Sequence, residues 1–367
     1  MLHSRQKKTN LASAPSNIAL VKYMGKEDRS LNLPSNGSLS LTLSELCTQV
    51  EVESEASNLK QIQLIPEPPQ GQGRQQGSRQ GNRPPIVPNL SESGVSRVTK
   101  HVERVREAIP SLFLPYGLEW DTDRSLTIRT ANTFPAASGI ASSASSFAAM
   151  TMAFCSAFSV NSSIFMAVFQ REASFKCALA RLSRLGSGSS CRSFEGPWVQ
   201  WEGQEVSQVK SSLPPMTDLV LLISSQSKEV SSSQAHEAVK SSPLWIGRVD
   251  RANDRLVNLK SALVDGDLKR VSQIAWDEMW EMHSLFHTAH DPFTYWEPET
   301  VRVLKWVKSL RALPNPPIVT LDAGPNVHLL VETGAAEEWK EKLKAQFPHL
   351  PILEDRQGLG ATCVEIS

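Results

Sequence analysis

The residues best suited to chemistry fall in four short stretches. PAASGIASSASS, Pro135 to Ser146, joins a glycine to a cluster of hydroxyls just before a run of alanines and other small residues that reads as a helix. A turn at Gly139 lets the backbone approach a ligand closely, and the free N–H groups and positive dipole end of the following helix favour phosphate. Ser142, Ser143 and Ser145 add side-chain donors and a possible magnesium contact. The stretch is not a Walker A loop, because no lysine follows the glycine at the required place, and it does not match GxGxxG. A tightly packed small-residue helix would have the same composition. RLGSGSSCRS, Arg184 to Ser193, sets the permissive backbone of Gly186 and Gly188 and the hydroxyls of Ser187, Ser189 and Ser190 beside Arg192. The planar fork of that arginine suits a carboxylate or phosphate, whereas a plain surface loop gives it no reason to be there. Two such turns in one chain point to a pair of polyanionic ligands.

The other two stretches end on charge. APSNIALVKYMGK, Ala14 to Lys26, places Lys22, Tyr23 and Lys26 between an apolar strand-like run and a turn, although lysines alone are usually solvated surface charges. In TLDAGPNV, Thr320 to Val327, Asp322 stands at the end of an apolar run just before a turn. A carboxylate so placed is either a general base or a turn-initiating cap. A row of histidines, His283, His287 and His290, has helical spacing, but Ser284 follows His283 and HExxH is absent. Packing or surface exposure explains such a row more readily than metal binding.

The elements that must position these residues can be read from periodicity. SLSLTL from Ser38 alternates polar and apolar residues as half-buried strands do, and Val50 to Val52 continue the pattern. Val98, Val102, Val105 and Ile109 form one stripe of an amphipathic helix. LTIRT (126–130), WVQWE (198–202) and LVLLI (219–223) read as strands, and the lobe changes between the last two. Helices are expected over roughly 246–290 and 299–311, and IVTL and VHLLV as two strands joined by the DAGPN turn. The segment from Pro66 to about residue 90 is made of proline, glutamine, glycine and arginine. Too little apolar surface is available there to offset chain entropy, so it reads as a disordered insertion.

Composition bounds the function. The 367-residue chain is 40% hydrophobic, enough for two lobes around one cleft, with an N-terminal lobe over 1–205 and a C-terminal lobe over 206–367. Lysine plus arginine equals aspartate plus glutamate at 38 each, so no general field draws the chain to nucleic acid or an anionic membrane. Five scattered cysteines without a CxxC pair fit reduced thiols in a cytosol better than disulfides or zinc. No apolar run reaches the roughly 18 residues of a membrane helix, and the polar N-terminus does not read as a secretory signal. A soluble, cytoplasmic protein is expected.

Taken together, the four stretches resemble the diphosphomevalonate decarboxylase family, whose segments are of the type NIAxxKYWGK, FPxxxGLASSAS, RxGSGSACRS and DAGPN. They occur in the same order from Ala14 to Val327, and SKEVSSSQ (227–234) and PFTY (292–295) after His283 are similar too. The chain departs from the pattern at Met24, Gly37, Ile140 and Ser190, and in its long insertion. The resemblance implies an α+β, two-lobed fold of the galacto-, homoserine, mevalonate and phosphomevalonate kinase type, with a deep active-site cleft between the lobes. It also implies ATP and Mg2+, a small-molecule diphosphate substrate and a homodimer. By the same resemblance Asp322 would be the catalytic carboxylate, Lys22 its partner, and Arg192 the grip on the substrate carboxylate. Tyr23, Lys26, Ser187, Ser189 and Ala323 would hold the substrate. Ser142 and Ser143, with backbone at Ser138, Gly139, Ile140 and Ala141, would cradle ATP, with Ser143 near magnesium and Arg97 or Lys100 reaching the nucleotide. A mevalonate 5-phosphate decarboxylase and a mevalonate-type kinase of the same superfamily are the alternatives. Lys26, Ser187 and Ser189 favour the diphosphate, and Asp322 argues against a pure kinase.

Overall fold

A computed structural model describes residues 7–70, 85–88, 91–135, 142–226 and 228–366. Two antiparallel strands form its spine, β1 (Lys8–Val21) and β4 (Ser38–Ala56), paired over nearly their whole length. A small ribbon, β2 (Lys26–Asp28) and β3 (Leu33–Pro34), fills the turn between them. Outward from this spine lie β13 (Thr362–Ile366) beside β1, and β6 (Arg124–Asn132) then β5 (Ile62–Ile65) beside β4. β7 (Trp198–Glu202) pairs with the first residues of β4, and β8 (Glu205–Gln208) with β7. Among the described residues only β5 and β6 run parallel, with the helix α1 (Glu92–Leu112) lying between them in the chain.

The spine serves two cores. Ala12, Ala14, Val50 and Val52 pack with the predicted stripe Val98, Val102, Val105 and Ile109 of α1 and with α2 (Ser142–Phe158), which is buried almost all round. The helices α3 (Ser162–Arg171) and α4 (Ala173–Arg184) complete that core with Phe165, Phe169, Phe175 and Leu179. Further along the same strands, Ile18, Leu20, Leu39 and Leu41 pack instead against α6 (Arg248–Asp265) and α7 (Leu268–His287) through Leu256, Leu259, Leu263, Val271 and Ala275.

The second sheet has the order β10 (Ile318–Thr320), β11 (Val327–Glu332), β9 (Met216–Leu221), β12 (Ile352–Arg356), antiparallel throughout. Ile318, Val220 and Leu330 face α6 and α7, while Val319, Leu219, Leu221 and Leu329 face α8 (Pro298–Leu310) and α9 (Ala336–Gln346). Both faces are covered, which is why these strands read as continuous apolar runs. A short helix, α5 (Ser232–Ala238), closed by a Ser231–Gln234 capping box, lies over the cleft.

Most expected elements are present. β8 and the late strand β13 both belong to the first sheet. Two expectations need correction. SLSLTL is not half-buried, since Ser38, Ser40 and Thr42 are as inaccessible as Leu39 and Leu41. The insertion lies mainly outside the described residues, but its flanks are tied down. Gln70 donates its N–H to Glu51 at 2.8 Å, and Ile86 exchanges backbone hydrogen bonds with Asn132 at 2.7 and 2.9 Å.

Candidate active site

The ladder between β1 and β4 slips twice, between Pro15 and Asn17 and between Ala19 and Val21. Pro15 has no N–H for the ladder, and such irregularities re-aim the side chains that follow. Here they turn Asn17 and Lys22 toward a cleft of about 650 Å³. Lys22, 2% exposed, is clamped by its own backbone. Its N–H donates to Glu278 Oε1 at 3.0 Å and its carbonyl accepts from Asn36 Nδ2 at 2.9 Å. Its ammonium meets Asp322 Oδ1 at 2.7 Å.

Asp322 arrives from the end of β10. Its carboxylate turns to Lys22 rather than capping its own turn, which is fastened instead by Asn326 Oδ1 accepting from Ile223 and Ser224 and by Thr300 donating to the Pro325 carbonyl. Burial by itself would raise the Asp322 carboxyl. The charge and hydrogen bond of Lys22 outweigh it, with His328 and Arg192 adding to them, so the group is held below the usual 3.8. Burial in turn lowers Lys22, against the opposing pull of Asp322 and Glu278. The carboxylate and ammonium face one another as an ion pair.

Arg192 is buried on the opposite wall, on the turn of helix Gly188–Ser193 that follows α4. Its guanidinium donates to Ser38 Oγ at 2.7 Å, Ser40 Oγ at 3.0 Å and Asn17 Oδ1 at 3.2 and 3.3 Å, and lies 5.8 Å from the Trp201 ring centre. These small hydroxyls are the polar half of SLSLTL. They face inward because a buried cation needs neutral acceptors, and five N–H donors still leave some for a ligand.

Tyr23 packs against Trp201, with ring centres 4.7 Å apart, and its hydroxyl has no hydrogen-bond partner among the described residues. A Cβ on Gly188 would stand 2.5 Å from the Tyr23 ring, so glycine is required there for this approach. Lys26 donates to Asn32 Oδ1 at 2.7 Å. Ser187 bonds Ser143 Oγ at 3.2 Å and Ser189 Oγ at 3.4 Å, a chain of hydroxyls between the start of α2 and the Gly/Ser turn. Hard oxygen donors of this kind suit magnesium and phosphate.

The cleft therefore brings together Lys22, Tyr23, Lys26, Arg97, Ser142, Ser143, Ser187, Ser189, Arg192, Asp322 and Ala323. Arg97 lies over Phe147 at 5.0 Å and donates to the Gly186 carbonyl at 3.4 Å. Lys100 is exposed on α1 and does not line the cleft, since three residues beyond Arg97 the helix is about 60° short of a full turn and displaced along its axis. Ser138, Gly139, Ile140 and Ala141 lie outside the described residues. His283 is buried against Trp296 and Phe286, and His287 bonds Thr294, but α7 ends at His287, so the exposed His290 lies beyond the helix and does not continue the row.

Sequence reasoning missed Asn17, Ser38, Ser40, Lys228, His236 and Glu278. Lys228 also lines the cleft, 5.7 Å from the Tyr295 ring centre, and burial lowers its pKa. Of the departures, Gly37 has a local reason, because a Cβ there would come within 2.4 Å of Leu256. Met24 is buried with Met282, Leu285 and Phe286.

The chain is similar over most of its length to known proteins. The model of a diphosphomevalonate decarboxylase-like N-terminal domain matches residues 14–82 and 86–213, and that of a mevalonate 5-diphosphate decarboxylase C-terminal domain matches 218–362. The diphosphomevalonate decarboxylase of Saccharomyces cerevisiae is 29% identical over 335 residues, 88% of this chain and 77% of that one. The structure of a mevalonate diphosphate decarboxylase from Legionella pneumophila is 35% identical with a TM-score of 0.73, covering 94% of this chain and all of that one. A structure solved in complex with MVAPP, AMPPCP and magnesium is 27% identical with a TM-score of 0.77, over 98% and 100% of the two chains.

Proposed function

The chain belongs to the diphosphomevalonate decarboxylase family, and from that premise we propose that it converts (R)-5-diphosphomevalonate and ATP to isopentenyl diphosphate, ADP, phosphate and carbon dioxide. The observation that carries the reading is the Lys22–Asp322 ion pair at 2.7 Å, facing a buried Arg192 across a cleft walled by serine hydroxyls. Asp322 orients the tertiary 3-hydroxyl and receives its proton as the γ-phosphoryl group of ATP is transferred. Breaking the C3–O bond then releases phosphate and leaves electron demand at C3. The electrons of the bond to the carboxylate carbon move to form the alkene, and carbon dioxide departs. Arg192 holds that carboxylate in place, and Lys22 keeps Asp322 ionised. Positioning and charge balance supply most of the rate.

Tyr23, Lys26, Ser187, Ser189 and Ala323 are proposed to hold the diphosphate end and the reacting centre. Ser142, Ser143 and Arg97 take the nucleotide side, with the backbone of 138–141. Magnesium, when bound, offsets phosphate charge, and Ser143 is the side chain proposed to meet it. The cytosolic homodimer implied by the resemblance belongs to the same proposal. Among the described residues no helix is long and apolar enough to cross a membrane.

One coupled assay tests the reading: ADP, phosphate and carbon dioxide release with mevalonate, its 5-phosphate and its 5-diphosphate. The diphosphate should yield all three products. ADP without carbon dioxide would make the chain a kinase, and preference for the 5-phosphate would make it the monophosphate decarboxylase.

A further inference from the structure

His236, on α5, is 7% exposed and lines the cleft. Its Nδ1 accepts the N–H of Gly25 at 3.0 Å. Gly25 has φ +86°, and a Cβ on it would lie 2.2 Å from the Trp245 ring, so the direction of that N–H is fixed by a turn that only glycine fits. A neutral imidazole that accepts at Nδ1 carries its proton on Nε2. Burial first, then the charges of Lys26 and Lys240, holds the ring at a pKa of about 3, so it stays neutral at physiological pH. Its Nε2–H is the donor that the ring offers the cleft.

The surroundings say what would accept it. The His236 ring centre is 4.4 Å from that of Tyr23, whose buried hydroxyl has no partner among the described residues and whose pKa is raised by burial, so it too remains a donor. Two ammonium groups, Lys26 and Lys240, act on the ring, and neither Asp322 nor Arg192 does. The nearby carboxylate of Glu237 is engaged by Arg29. The corner thus holds two neutral donors and the Lys26 ammonium, with Lys240 behind it donating to the Lys26 carbonyl. Its complement is an oxyanion with several acceptor atoms. We propose that His236 is a substrate-binding residue that donates its Nε2–H to the terminal phosphate of the diphosphate and so helps to select diphosphate over monophosphate.

This rests on the function proposed above, and two variants test it separately. His236→Asn retains an oxygen where Nδ1 accepts from Gly25 but has no donor that reaches the cleft. His236→Gln places an amide N–H near the Nε2 position and gives up the Gly25 contact. A hydrogen bond to a charged group contributes enough that H236N should raise KM for 5-diphosphomevalonate about tenfold. Its kcat and its KM for ATP should stay within about twofold, its preference over the 5-phosphate should fall about tenfold, and H236Q should stay within about threefold of the parent in KM. The proposal is overturned by an unchanged KM in H236N, by equal increases in both variants, which would mark a purely structural role, or by an effect confined to kcat or to ATP. The parent enzyme is the control for the function itself. Failure to turn over the diphosphate there overturns both readings, whereas parental turnover with an indifferent His236 overturns only this one.

Discussion

The Lys22–Asp322 pair sets the chemistry of the cleft, and each partner makes a different prediction. Replacing Asp322 by Asn preserves shape and removes the charge. Turnover should fall by about three orders of magnitude or more, while ATP and substrate binding, measured by calorimetry, remain near parental. A milder loss would reduce Asp322 to a residue of the turn. The pH dependence follows from the two directions of shift. Asp322 is held below 3.8 and so stays ionised across the range in which activity can be measured, and an acid limb near neutrality would not be its titration. Lys22 is lowered from 10.5, so raising pH removes its proton and the partner charge of Asp322 earlier than for a free lysine. The profile of kcat/KM should therefore decline at alkaline pH with an apparent pKa below 10.5. A flat profile to pH 10.5 would contradict this.

The helices α6 and α7 hold that pair from behind. Glu278 accepts from the Lys22 N–H and is bound by Arg248, at 2.9 Å from Nη1 to Oε2, with both side chains fully buried. Arg255 reaches the same carboxylate at 2.9 Å. Glu278→Gln leaves two arginines short of charge and should cost about 3–5 kcal/mol of stability, seen as a lower denaturant midpoint. Burial alone would raise Glu278, but the charge of Arg248 prevails and holds its carboxyl below 4.5. Its stabilisation is thus complete above 4.5 and lost as pH falls through the depressed value, so parent and variant should converge in acid. Loss of its charge should also move the alkaline limb of Lys22 further down. None of this was readable beforehand, because Glu278 sits in a helix whose charged residues look like a solvated face. What was readable had a local signature: the Val98 to Ile109 stripe, the small-residue run of α2, and the IVTL and VHLLV strands around Asp322. What was not readable came from pairing over long separations. Ser38 and Ser40 looked like an outer face until a buried guanidinium from residue 192 was placed against them, and Lys100 looked as close to the cleft as Arg97 until the helix was set in place.

The insertion tests how independent the two-core assembly is of its additions. Gln70 is held by Glu51 and Ile86 by Asn132, so the polar stretch between them begins and ends at anchored points. Replacing residues 71–84 with a glycine-serine linker of about six residues should leave the melting temperature within about 2 °C and turnover within about twofold. A larger loss would give the stretch a role in the fold or the site. β13 pairs with β1 in the register Thr9 to Ile366, so one neighbour of β1 is made long after β1 itself. During synthesis β1 gains β4 early, yet its other edge stays open, a template for wrong pairing, until β13 has been made. Any product stopped before β13 carries that exposed edge, whereas a chain that includes β13 covers it in the act of folding. Aggregation and turnover in the cell should thus distinguish chains stopped before this strand from those that contain it, well before the cleft is asked to bind anything.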